Sequence, residues 1–233
     1  MKFTFVIPVL NEEKFIGRCI SSINSQSKMP FEVIVVDNGS NDKTVEISRK
    51  LGAKVVKEKK KGISNARNSG AKLAKGELVC FVDADGVLSK NWLRQAERIF
   101  QTEKVDSVSG LVFYSHKNAL RRFWYNSYLL VAYPFLLLRQ YLFGKPWIVG
   151  NNTVIKKEVF LELAGFDPVI GEDYWFTRKF ARTRYKSFIS MRMPIFYSSR
   201  GFDQTGYLKT LFYWAREGAK RASQNGYNYK NKD

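Results

Sequence analysis

Asp83-Ala84-Asp85 closes the apolar run Glu77-Leu78-Val79-Cys80-Phe81-Val82 and is followed by Gly86. A β-branched and aromatic run of this length reads as a buried strand, so two carboxylates stand at its C-terminal edge, where α/β sheets bind ligands. Hard cations such as Mg²⁺ or Mn²⁺ take oxygen ligands, and two carboxylates one residue apart leave positions free for phosphate oxygens and water. The pair suits a divalent metal holding a diphosphate. Short acidic turns on surface loops have the same spelling, so the rest of the chain has to support the reading.

Two further acidic stretches offer chemistry. Asp37-Asn38-Gly39-Ser40-Asn41-Asp42 follows the apolar run Glu32 to Val36; it is either plain turn chemistry or a second ligand edge. Glu172-Asp173 follows Gly171 and precedes Tyr174 to Phe180. These acids either stabilise a helix N-terminus or act on a proton. His116 is the only histidine, and without a partner at ligand spacing it reads as a surface residue.

Elements that position these groups follow from periodicity. Phe3 to Val9 reads as a strand closed by Leu10-Asn11, with Asn11 as a helix N-cap and Glu12 and Glu13 in the first turn. Phe15, Ile16, Cys19, Ile20 and Ile23 share one face of the helix that follows. Glu32 to Val36 is a second strand, Val45 to Leu51 a helix stopped by Gly52, and Ala53 to Val56 a third strand. Ser64 to Ala74 is a helix before the strand that delivers Asp83, and Val105 to Tyr114 is a fifth strand. This βαβαβαβ order predicts a parallel sheet with its ligands at the strand C-termini.

No Gly-x-Gly-x-x-Gly follows the first strand, and no Gly-x-x-x-x-Gly-Lys-Ser/Thr occurs, which excludes the dinucleotide fingerprint and the P-loop. Phosphate must then be held by metal and side chains. Four stretches in order, Val6-Ile7-Pro8-Val9-Leu10-Asn11-Glu12-Glu13, Val36 to Thr44, Gly62-Ile63-Ser64-Asn65-Ala66-Arg67-Asn68-Ser69-Gly70 and Phe81-Val82-Asp83-Ala84-Asp85, resemble the family 2 glycosyltransferases of GT-A fold. The resemblance is strong over residues 1 to 115 and extends to about 145 to 200. It implies an α/β fold with a mainly parallel Rossmann-like sheet flanked by helices and a smaller acceptor-binding half.

The resemblance also implies roles. Pro8, Val9, Asn11 and Glu12 would line the base and ribose pocket, with Gly39 beside it and Asp37 accepting a hydrogen bond from a nucleobase. Asp83, Ala84 and Asp85 would meet the donor, with Asp85 and Asp83 at the metal, Mn²⁺ or Mg²⁺. Arg67 would orient these carboxylates or contact the donor, and Arg200, in Ser198-Ser199-Arg200, would reach the diphosphate. Gly171-Glu172-Asp173 resembles the family's Glu-Asp motif, with Asp173 as general base and Glu172 beside it, and Trp175, Arg178 and Arg182 are expected on the acceptor side; a lipid-phosphate acceptor, already ionised, would be held on the Arg178 and Arg182 side and leave Asp173 a positioning role. UDP- and GDP-sugars both stay open as donors. The absence of Gln-x-x-Arg-Trp departs from the processive members and implies transfer of a single sugar.

Residues 123 to 143 are almost wholly apolar, with Arg121 and Arg122 before them and Lys145 after. Their length approaches the ~20 residues that span a bilayer, but a span would part Asp85 from Asp173. One or two helices broken near Pro134 and lying in the interface are expected instead, with Trp124, Tyr125, Tyr128 and Tyr133 at the headgroup level. A buried core or dimer interface is the other reading. Three segments result: 1–115 for the nucleotide-sugar, 116–145 interfacial, and 146–233 for acceptor and base, ending in a basic helix from Gly206 to Ala222.

The 39 basic and 21 acidic residues give +18, a field that attracts nucleic acid, anionic membrane or phosphorylated small molecules. Lys57, Lys59, Lys60 and Lys61 form one cluster, and Arg178 to Arg192 another; each can also be a solvated face. A sequence-independent nucleic-acid binder would leave the carboxylates unexplained, and a nucleotidyltransferase would need a basic Gly-rich loop after the first strand. No specific nucleic acid is therefore expected; the expected partners are a nucleotide sugar, a lipid-linked or glycan acceptor, and an anionic membrane surface. Cys19 and Cys80 lack metal or disulfide spacing and read as buried thiols. Nothing at the N-terminus reads as a signal peptide, so a cytoplasmic protein, peripheral on the cytosolic face of the membrane, is expected.

Overall fold

The computed structural model describes residues 1–144, 147–169 and 171–212. Its elements are β1 (Phe3–Val9), α1 (Ile16–Asn24), β2 (Glu32–Asp37), α2 (Thr44–Lys50), β3 (Lys54–Lys57), α3 (Ile63–Leu73), β4 (Leu78–Val82), β5 (Val87–Leu88), α4 (Trp92–Thr102) and β6 (Ser107–Ser115). They continue with α5 (Ala119–Asn126), α6 (Leu129–Phe143), β7 (Asn152–Lys156), α7 (Lys157–Glu162), α8 (Glu172–Phe180), β8 (Ser187–Ser198) and α9 (Arg200–Thr205). One sheet holds all eight strands in the order β3-β2-β1-β4-β7-β6-β8-β5.

The first four strands in that order are parallel, as the alternation of strand and helix predicts. β1 is buried along its whole length because both of its faces are covered. Phe3, Phe5, Ile7 and Val9 pack in one core with Ile16, Ile20 and Trp92, while Val6 packs in the other with Ala66, Phe81 and Phe160. Period-two alternation thus splits one apolar run between two cores.

Beyond β4 the sheet turns mixed. β7 is antiparallel to both β4 and β6, and β8 runs parallel to β6. Segments at opposite ends of the chain therefore share one sheet. Buried Asn152 joins the parts: Trp92 Nε1 donates to its Oδ1 at 3.0 Å, and its Nδ2 donates to the carbonyls of Leu111 and Met193 at 2.8 and 3.0 Å. The strand 187–198 carries a signal that sequence reasoning passed over, since Ile189, Met193, Ile195 and Tyr197 are buried at odd positions. A register slip opposite Gly110 and Val112 interrupts that alternation.

Three expectations are corrected. Asn11 does not cap a helix: α1 begins at Ile16, and Asn11, at φ 55°, accepts from Asn41 N–H through Oδ1 and donates its own N–H to Ser40 Oγ. The apolar segment breaks between Asn126 and Leu129 rather than at Pro134, which lies inside α6 near its start; a proline in the second turn costs one hydrogen bond and does not end the helix. Tyr125, Tyr128 and Tyr133 do not face outward. Tyr125 donates to Asp203, Tyr128 donates to Val112 O, and Val112 N–H donates to Tyr133 Oη. The slip in β6 leaves backbone groups of Val112 that need partners, and Tyr128 and Tyr133 supply them. The basic helix expected from Gly206 to Ala222 lies outside the described residues beyond 212.

Candidate active site

The C-terminal ends of β1, β2 and β4 open onto a cleft of about 600 Å³. Pro8 and Val9 enter it from the end of β1 and Asn11 and Glu12 from the loop that follows, Gly39 from the loop after β2, Asp83 to Asp85 from the end of β4, and Arg200 from α9. Sequence reasoning placed all nine at a nucleotide sugar, and the fold brings them together. Asp37 and Arg67 lie behind the wall. Asp37 is buried, and its Oδ1 accepts the Ser40 N–H at 2.9 Å.

Arg67 is 2% exposed and organises the acidic side of the site. Its Nη2 donates to Asp83 Oδ1 at 2.6 Å and its Nη1 to Glu172 Oε1 at 2.5 Å. The guanidinium also lies over the Phe166 ring, 5.6 Å from its centroid, while Nε has no hydrogen-bond partner among the described residues. Close approach explains the glycine at 150, where a Cβ would stand 2.6 Å from Arg67 Nη1. The neighbouring Asn68 accepts from Phe166 N–H and donates to Phe166 O, at 2.9 and 2.8 Å. One helix, α3, thereby fixes both the carboxylates and the turn that leads to α8.

Asp173 starts α8 with Glu172. Its Oδ2 accepts from Gly150 N–H at 3.4 Å and its Oδ1 from Tyr174 N–H at 2.8 Å. Burial pushes the Glu172 and Asp173 carboxyls up, and the Arg67 charge pulls each of them down. Both are helix N-terminal acids, and Glu172 is also the partner of the buried arginine. Trp175 is one turn along. Arg178 stacks on Trp175 and Tyr174, at 5.2 and 5.9 Å, and Arg182 follows the helix end. At 1.5 Å per residue Arg178 lies about 9 Å along the axis from Glu172, and neither arginine lines the cleft.

Arg200 crosses the cleft mouth. Its Nη atoms each donate to a Glu12 carboxylate oxygen at 2.7 Å, and its Nε lies 3.3 Å from Asp85 Oδ2. Burial raises the Asp85 carboxyl to about 7, Arg200 opposes that rise, and Asp83 and Glu12 add to it. Asp83 and Asp85 fit a hard divalent cation, since each keeps one oxygen off its arginine. Among the described residues no group of three or more His, Cys, Asp or Glu side chains could hold a metal, so remaining ligands would have to come from the diphosphate and water. His116 lies elsewhere, 3.7 Å from Asp203.

Three supporting residues escaped sequence reasoning. Tyr197, at the end of β8, donates to Asn151 O and accepts from Asp83 N–H at 3.3 Å, fixing the carboxylate turn to β7. A second cavity of about 230 Å³ opens there, between Asp83, Asp85, Asn151 and Phe202. Cys19 donates through Sγ to Asp83 O, and burial pushes both thiols up. Lys61 enters the cleft from the loop before α3; its only signal was membership of a basic run.

Comparison with known proteins accords with this geometry. The family model for Glycosyl transferase family 2 matches residues 4–164. Glycosyltransferase AglE of Haloferax volcanii is 33% identical over 121 residues, 48% of this chain and 40% of that protein. The amylovoran biosynthesis glycosyltransferase AmsB of Erwinia amylovora is 30% identical over 171 residues, 67% of this chain and 56% of its own length. The chain thus spans only part of the curated relatives it matches. Staphylococcus aureus TarS 1-349 in complex with UDP-GlcNAc superposes with a TM-score of 0.66 at 22% identity, over 85% of this chain and 58% of that one. The mannosyltransferase PcManGT of Pyrobaculum calidifontis, in complex with GDP-Man and Mn²⁺, gives 0.65 at 21% identity, over 95% and 66%. These likenesses establish the GT-A fold, and with a family model covering more than half its length this chain belongs to glycosyl transferase family 2.

Proposed function

We propose that the protein transfers one sugar, with inversion, from a UDP- or GDP-linked donor to a hydroxyl acceptor at an anionic membrane surface, using Mn²⁺ or Mg²⁺. The observation that carries this reading is the cleft walled by the loops after β1, β2 and β4 with Asp83, Asp85 and Arg200 at one end. Two proteins of the same fold carry UDP-GlcNAc and GDP-Man with Mn²⁺.

Placement supports the following residue roles. Asp83 and Asp85 would hold the cation, which supplies positive charge to the departing nucleoside diphosphate. Arg200 reaches the same end and adds a second cation. Asp173 takes the proton from the attacking hydroxyl; it lies behind Gly150, one residue from Asn151 in the second cavity. A single displacement by that hydroxyl inverts the anomeric carbon. Arg67 holds Asp83 and Glu172 in register.

Calorimetry with UDP and GDP, with and without Mn²⁺, tests the donor site. Binding of one nucleotide should require metal and vanish in Asp85→Ala. The Asp85 carboxyl ordinarily titrates near 4 and here near 7, so its charged, metal-binding form fades as pH falls through 7. Affinity should weaken about tenfold for each pH unit below that. Metal-independent binding of both nucleotides would refute the assignment.

The membrane reading rests on α5 and α6. Leu130, Val131, Phe135 and Tyr141 are 69, 77, 63 and 86% exposed, and no acid occurs between 116 and 144. Among the described residues no helix is long and apolar enough to cross a membrane; α6 spans only about 22 Å. An apolar face with Arg121 and Arg122 exposed beside it suits an interface. Vesicles containing phosphatidylglycerol should sediment the protein, and Val131→Glu/Phe135→Glu should release it. Equal sedimentation of both proteins would sink the reading.

A further inference from the structure

The end of the cleft farthest from Asp85 is built around a cation. Asn38 pins the loop 58–62 to the end of β2: its Nδ2 donates to the carbonyls of Glu58 and Lys60, and its Oδ1 accepts from Gly62 N–H, each at 2.9 Å. Held this way, the loop turns Lys61 Nζ onto Asn38 O at 2.5 Å and into the cleft wall. Gly39, at φ +98°, leaves the space that the ammonium fills, because a Cβ there would stand 2.8 Å from Nζ. No carboxylate pairs with Lys61 among the described ion pairs. An ammonium has three protons, and the bond to Asn38 O uses one.

Position decides what the other two can meet. β1 separates β2 from β4, and strands lie about 4.8 Å apart, so the β2 end is roughly 10 Å from the carboxylate pair. That is too far for a diphosphate held at Asp85 and suits the base of the same nucleotide. Asp37, buried with Oδ1 bonded to Ser40, does not line this end.

Resting on the donor-site reading above, we propose that Lys61 selects the nucleotide by donating to a ring carbonyl of its base, uracil O4 or guanine O6, with Asn38 and Gly39 positioning it. Cytosine and adenine carry an amino group at the corresponding place. Two donors then face each other with no acceptor between them, and a site built for a hydrogen bond rejects such an analogue.

Calorimetry with UDP, CDP, GDP and ADP in the presence of Mn²⁺ tests this on the wild type and on Lys61→Met, an exposed position that the fold tolerates. The wild type should bind the keto nucleotide at least about tenfold more tightly than its amino counterpart, UDP against CDP or GDP against ADP. Lys61→Met should bring that ratio below about twofold with the amino nucleotides little changed, and Gly39→Ala, which crowds Nζ, should reduce it too. An unchanged ratio, or an equal loss for all four nucleotides, overturns the inference while leaving the donor site standing. A wild type that binds none of them overturns the donor site itself, and this inference with it.

Discussion

Asp173→Asn should lower kcat by ~10²–10⁴ with a hydroxyl acceptor, the range that a positioned general base contributes. The donor KM should hold, because Asp173 lines neither cavity and meets backbone N–H groups of Gly150 and Tyr174. An amide of the same shape removes the proton acceptor and keeps the volume: its oxygen can hold the Tyr174 N–H, and its NH2 then faces only the longer, 3.4 Å contact with Gly150 N–H. The wild-type rate should also fall on the acid side, since burial raises this carboxyl above its usual range and protonation disarms it. Steady-state kinetics with a nucleotide sugar and a hydroxyl-bearing acceptor would check both. A loss below about tenfold would point to an acceptor already ionised, such as a lipid phosphate, and reduce Asp173 to positioning.

Arg67→Met carries the largest expected cost in stability, about 3–5 kcal/mol, the range for removing one partner from a buried ion pair. The change strands Asp83 and Glu172 without their cation and leaves Asp173 beside them. Glu172 and Asp173, already pushed up by burial, lose the charge that pulls them down and titrate higher still in the folded chain. Folded chains bind the extra protons, so the deficit should be greatest at pH 8 and shrink towards pH 5. Urea unfolding at the two pH values measures it. A deficit below about 1 kcal/mol at pH 8 would show that water, not Arg67, balances these charges.

Legibility differed between the two ends of the chain. Residues 1 to 82 alternate apolar runs with helical faces of ordinary length, and the parallel order β3-β2-β1-β4 follows from local pattern. β8 was hidden because Met191, Arg192 and Pro194 interrupt its alternation at the register slip. Tyr125, Tyr128 and Tyr133 misled because a tyrosine suits a membrane interface and an inward-facing hydrogen bond equally well. Their hydrogen bonds to Asp203 and Val112 depend on elements distant in sequence.

By itself the sequence determined the family, the parallel half of the sheet and the carboxylates at its edge, because strand period and turn chemistry are local properties. Tertiary structure alone decided which groups meet. It set Arg67 between Asp83 and Glu172, 105 residues from the latter, and Arg200 against Glu12, 188 residues away. It also separated Lys61, drawn into the cleft by Asn38, from the neighbouring lysines of the same run. Such pairings follow from sheet order and close approach, which join distant segments and leave no periodic trace along the chain.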